Sequence, residues 1–120
     1  MTTVSATFTF EGAHFLPNVP AGHKCGRMHG HNWTVEIHCR GPVVEPQGWI
    51  VDFYDIEKAW TLVYNKLDHR VLNEVTTLDN PTTENIARWI YLQMNSRVPS
   101  VFKIVVRETP MFGATYEGGC

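Results

Sequence analysis

Two stretches of strict alternation, Val4 to Glu11 and His29 to Arg40, constrain what this chain can fold into more than anything else in it. In an extended strand, residues i and i+2 face the same way. Val4, Ala6, Phe8 and Phe10 therefore share one face, and Ser5, Thr7, Thr9 and Glu11 the other. In the second stretch His29, His31, Trp33, Val35, Ile37 and Cys39 form the apolar row, opposite Asn32, Thr34, Glu36, His38 and Arg40. Each reads as a strand with one buried face. Keeping parity, His14 falls on the apolar face of the first strand, with Gly12 a candidate bulge. Phe15 to Met28 reads as loop, broken by Pro17, Pro20, Gly22 and Gly26.

The histidines thus extend the core-facing rows. If the two strands pair antiparallel, the end of the first lies beside the start of the second, which brings His14 to His29 and His31. Gly30, between the last two, adds no bulk. Three imidazoles leave one coordination position open, which suits a catalytic Zn²⁺ better than a structural one closed by four protein ligands.

The rest of the pattern completes a domain. Asp52 reads as the N-cap of a helix carrying Asp55 in its first turn, with Phe53, Ile56, Trp60, Val63 and Leu67 as the apolar stripe. It stops near Asp68-His69. A second helix follows Asn80-Pro81, capped by Thr82 or Thr83, with Ile86, Trp89, Ile90 and Met94 as its stripe. Val101 to Glu108 reads as a strand with Phe102, Ile104, Val106 and Glu108 on the core face, and Met111 to Tyr116 as a last short strand. The order ββααββ predicts an α+β fold: a four-stranded antiparallel sheet with two helices packed on one face. The other face, bearing Thr7, Thr9, Thr34, Glu36, His38, Lys103 and Arg107, is expected to be polar and solvated. Residues 1–120 fit one catalytic domain, and open edges in so small a sheet invite pairing with neighbouring subunits.

Four further side chains suggest chemistry. Cys25 lies in a glycine-rich segment four residues before His29. A free thiol, with a pKa of about 8.5, is only slightly ionised at neutral pH, and a nearby cation makes it a usable base or nucleophile; the alternative is a fourth zinc ligand. Asp68 and His69 form a carboxylate–imidazole pair suited to acid–base work. Adjacent residues seldom bond one another well, so the pair is expected to act through a third group. Glu108 stands where an apolar residue is due and needs a donor: two adjacent N–H groups of a ligand, or Arg27, Arg88 or Lys24. His23 and His38 read as incidental, and Trp33, Trp60 and Trp89 as core.

Charge and cysteine content exclude other classes. The net charge is −2 with no basic run, so no electrostatic footprint for nucleic acid exists. No apolar stretch is long enough to span a membrane, and the N-terminus lacks the blocks of a signal peptide. Three cysteines without paired spacing point to a reducing, cytoplasmic compartment. Cys39 reads as a small buried residue and Cys120 as a terminal thiol.

Several motifs together resemble the 6-pyruvoyl-tetrahydropterin synthase family, closest to its bacterial 6-carboxy-tetrahydropterin synthase branch. They are Phe8-Thr9-Phe10-Glu11-Gly12-Ala13-His14, Gly22 to His31, Gly48 to Phe53, Leu67-Asp68-His69, Asn80-Pro81-Thr82-Thr83-Glu84 and Val106-Arg107-Glu108. The short spacing from Cys25 to His29-Gly30-His31 is similar to the carboxy branch. The resemblance implies the tunnelling fold and Zn²⁺ on His14, His29 and His31. It implies Cys25, Asp68 and His69 as catalytic residues, and Glu108, Thr82 and Thr83 as substrate-binding residues, with Glu108 holding the pterin ring and Lys24 and Arg27 candidates for a triphosphate. It also implies a ring-forming homo-oligomer, such as a hexamer, with active sites between subunits. The implied reaction takes 7,8-dihydroneopterin triphosphate to 6-carboxytetrahydropterin in queuosine biosynthesis. A pyruvoyl-forming synthase, a dihydroneopterin aldolase and a non-catalytic zinc-stabilised assembly module remain as alternatives.

Overall fold

Alternating rows need a partner layer, and the helices supply it. In the computed structural model, which describes residues 1–118, the elements are β1 (Thr2–His14), β2 (His29–Gly41), α1 (Phe53–Leu67), β3 (Arg70–Val71), α2 (Thr83–Asn95), β4 (Val101–Arg107) and β5 (Gly113–Glu117). Cys120 lies outside the described residues. The sheet has five strands in the order β3-β1-β2-β4-β5. It exceeds the expected four because Arg70 and Val71 pair parallel with Gly12 and Ala13. A two-residue strand carries no alternation to read, so only tertiary contact reveals it.

β1 and β2 pair antiparallel in unbroken register from Thr2↔Gly41 to His14↔His29, so Gly12 introduces no bulge. The irregularity falls instead between His38 and Cys39, opposite β4. It puts Val101 in the core and turns Phe102 to the polar face, where its ring lies 4.2 Å under the Arg40 guanidinium. Phe102 therefore leaves the core row expected of it, while Ile104 and Val106 keep their places.

The core lies between the sheet's apolar face and the two helices. Trp33, Val35, Ile37 and Cys39 from β2 meet Ile56, Trp60, Val63 and Leu67 from α1 and Ile86, Trp89, Ile90 and Met94 from α2. Phe8 stacks on Trp60 at 5.2 Å and Phe10 on Trp33 at 5.8 Å. Each such side chain contributes about 1.5–3 kcal/mol when fully buried. Phe53, expected in the stripe of α1, is 64% exposed, and the buried stripe begins at Ile56. Asp52 caps α1 by accepting from the Tyr54 N–H, and Thr82 caps α2 by accepting from the Asn85 N–H. Among the described residues, no helix is long and apolar enough to cross a membrane.

Candidate metal centre and the groups around it

The β1–β2 register sets the site. His14 faces His29 directly, and Gly12 faces His31, so three imidazoles meet at one end of the sheet. Their ring centroids lie 4.5 to 5.3 Å apart, and one ligand atom from each falls within 4.8 Å of the others. The main chain orients the rings. His14 Nδ1 lies 2.8 Å from the Pro81 carbonyl and His29 Nδ1 2.7 Å from the Arg27 carbonyl. A carbonyl only accepts, so each Nδ1 carries the proton and each Nε2 keeps its lone pair. Such outer contacts hold metal-binding histidines in place.

The donor set fits a metal. His14 is 2% exposed, and its Nε2 and that of His31 are buried without hydrogen-bond partners. Unpaired buried nitrogens are costly unless something binds them. Burial pushes both imidazoles below the ordinary histidine range and so keeps them neutral, the form a cation needs. Neutral nitrogen donors with an open position suit a transition metal such as zinc rather than calcium or magnesium.

Glu108, just beyond β4, places Oε2 3.2 Å from His31 Nε2, outside hydrogen-bond alignment. Its neighbour is the triad, not Arg27, Arg88 or Lys24. The tight β4–β5 connection, where the Glu108 N–H donates to the Phe112 carbonyl, aims it there. Thr82 and Thr83 open α2 directly after Pro81, so the helix that presents them also orients His14.

Cys25 is half-buried in a short 3₁₀ turn whose N-cap, His23, accepts from the Cys25 N–H. The His23 ring thus has a structural task beyond the incidental one expected. Cys25 is not a member of the ligand cluster, which among the described residues comprises the three histidines alone. Lys24 and Arg27 are exposed beside it.

Asp68 and His69 stand apart from the triad, with no hydrogen bond or ion pair to it among the described residues. They bond each other directly, His69 Nδ1 to Asp68 Oδ2 at 2.6 Å, contrary to the expectation for neighbours. The reason is the backbone: His69 has φ +56°, and this left-handed turn folds its ring back toward the preceding side chain. The Asp68 carboxyl is held below the usual range, first by the Glu11 main-chain N–H donating to Oδ1 at 2.9 Å, with His69 also contributing. The His69 imidazole is raised, mainly by its bond to Asp68. Sequence reasoning assigned nothing to Glu11 or to the Pro81 and Arg27 carbonyls. The parity of Glu11 puts it on the polar row; main-chain acceptors leave no trace in residue type.

Fold and site together define a tunnelling-fold protein with a three-histidine group that could hold a metal ion. The chain belongs to the 6-pyruvoyl tetrahydropterin synthase family, whose profile matches residues 3–119. It is 34% identical over 116 residues to the 6-carboxy-5,6,7,8-tetrahydropterin synthase of Bacillus subtilis, covering 87% of this chain and 77% of that one. It is 38% identical over 77 residues to the dihydroneopterin monophosphate aldolase of Pyrococcus furiosus, 64% of each chain. Its fold superposes on the 6-pyruvoyl tetrahydropterin synthase of Caenorhabditis elegans with a TM-score of 0.91 at 27% identity, covering 98% of this chain and 96% of that one.

Proposed function

We propose that residues 1–120 form a zinc-dependent 6-carboxy-5,6,7,8-tetrahydropterin synthase. It converts 7,8-dihydroneopterin triphosphate and water to 6-carboxytetrahydropterin, acetaldehyde and triphosphate, as a cytoplasmic step toward queuosine. The observation that carries this reading is the meeting of His14, His29 and His31 with Glu108 3.2 Å from His31, in a chain of this family. The spacing from Cys25 to the His29-Gly30-His31 pair and the similarity to the Bacillus subtilis enzyme support the carboxy branch.

The residues divide the work as follows. His14, His29 and His31 would hold Zn²⁺, which would supply Lewis acidity toward the oxygens of the substrate side chain. Glu108 accepts the adjacent ring N–H and amino group of the pterin side by side. Thr82 Oγ1 already accepts from Asn85 N–H, so its own O–H proton is free to donate to the ring, and Thr83 flanks it. Cys25 moves a proton on the substrate side chain, and His69, oriented by Asp68, delivers or receives another. The pterin gains its reduction at the expense of its own side chain, so electrons balance without a further reductant. Because His69 is 73% exposed and bonds away from the triad, the site is completed by a second copy of the chain in a ring-forming homo-oligomer.

The test is incubation with 7,8-dihydroneopterin triphosphate, with and without a chelator, and identification of products by mass spectrometry. The reading expects 6-carboxytetrahydropterin and acetaldehyde, lost on chelation and restored by zinc. The fold likeness to the Caenorhabditis elegans enzyme favours a second reading, elimination of triphosphate without carbon–carbon cleavage. A pyruvoyl product without acetaldehyde would establish it instead.

A further inference from the structure

Glu11, the last polar residue of the alternating row in β1, touches the Asp68–His69 pair at three points. Its N–H donates to Asp68 Oδ1 at 2.9 Å. Its carbonyl accepts from the His69 N–H at 2.6 Å, which secures the left-handed backbone there. Its own carboxylate places Oε2 3.4 Å from His69 Nε2. The imidazole therefore stands between two carboxylates, Asp68 at Nδ1 and Glu11 at Nε2. Asp68 is hydrogen-bonded at Nδ1 and Glu11 lies within ion-pair distance of Nε2 without hydrogen-bond alignment, and a carboxylate at each nitrogen favours the doubly protonated, cationic ring.

We infer that Glu11 is a positioning residue for His69: its main chain fixes the backbone turn and its carboxylate holds the ring as a doubly protonated, proton-donating imidazolium. The inference rests on reading Asp68–His69 as the acid–base pair and deepens it, since it makes His69 the proton donor of that pair. The raised pKa of His69 agrees, with Asp68 as the larger cause and Glu11 adding to it. The other polar groups nearby do not compete. Arg70, the next residue, turns its guanidinium toward the Asn65 carbonyl, and the Tyr64 hydroxyl faces Asp68. Asn32 and His31 line the same shallow hollow from β2, without a bond to His69.

Glu11→Gln removes the charge and keeps both main-chain contacts; Glu11→Asp keeps the charge on a shorter arm. The experiment follows the His69 ring resonances of the full, zinc-loaded protein against pH by NMR, beside the pH profile of kcat. In Glu11→Gln, His69 is expected to titrate at lower pH than in the wild type, and the alkaline limb of kcat to move the same way. Glu11→Asp should restore part of both shifts, and zinc content should not change. A His69 titration unmoved by Glu11→Gln, or moved with no change in the pH profile, overturns the inference. If the wild-type protein turns over no pterin triphosphate, the proposed function fails, while the titration alone decides whether Glu11 governs His69.

Discussion

At the scale of single residues, the separation of ligand from catalyst is the point most open to test. Cys25 lies outside the imidazole cluster, so Cys25→Ala should lower turnover by about 10²–10⁴-fold while zinc stays bound, as elemental analysis would reveal. Loss of zinc with the thiol would make Cys25 a ligand. His14→Ala and, at the less buried position, His29→Ala should each deplete zinc. Glu108→Ala should chiefly weaken substrate binding, measured by titration calorimetry, and an unchanged affinity would remove its anchoring role. The pH dependence follows from burial of His14 and His31. The unfolded chain takes up protons as pH falls through about 6.5, whereas these two folded imidazoles resist them. Stability of the metal-free protein is therefore lost as pH drops below 6.5 and is unaffected by them above it. His69, raised, works in the opposite sense, but it is exposed and solvent screens it. A Tm that rises between about pH 6.5 and 5 would contradict this balance.

At the scale of elements, α2 links the fold to the site. Thr82 caps it, and Pro81 just before it holds His14 through its carbonyl. Thr82→Ala should cost about 1 kcal/mol by thermal or chemical denaturation. It should also weaken zinc retention, since the freed helix end carries the acceptor for His14 Nδ1. An unchanged zinc affinity at reduced Tm would uncouple the two. The elements that alternate over many residues were legible in the amino-acid pattern: β1, β2, their antiparallel pairing and hence the meeting of His14 with His29 and His31. The Asp52 cap was equally plain, because cap chemistry is local, whereas the second cap was narrowed only to Thr82 or Thr83 until the structure showed Thr82 accepting from the Asn85 N–H. What escaped depends on distant neighbours. The register shift beside Cys39 exchanges Val101 for Phe102 in the core, and β3 exists only because β1 offers it an edge. The Asp68–His69 bond needs a left-handed residue that side-chain chemistry alone does not announce.

At the scale of the whole molecule, the sheet ends, among the described residues, in unpaired edges. Among those residues β3 covers only Gly12 and Ala13 of β1, and β5 has β4 as its single neighbour. Exposed edges of this kind pair with further strands, and with the Asp68–His69 pair facing outward this argues for assembly. Sedimentation should give a mass that is a multiple of the 13.7 kDa chain, and a monomer at micromolar concentration would remove the interfacial site. The claim beneath every other is that three imidazoles, and no thiol, hold one zinc with a position left for substrate. X-ray absorption at the zinc edge, on the assembled wild-type protein, tests it most directly. The expected shell has three imidazole nitrogens at about 2.0–2.1 Å and a light oxygen scatterer in the remaining place. A sulfur scatterer at about 2.3 Å, or a closed shell of four protein ligands, would contradict it.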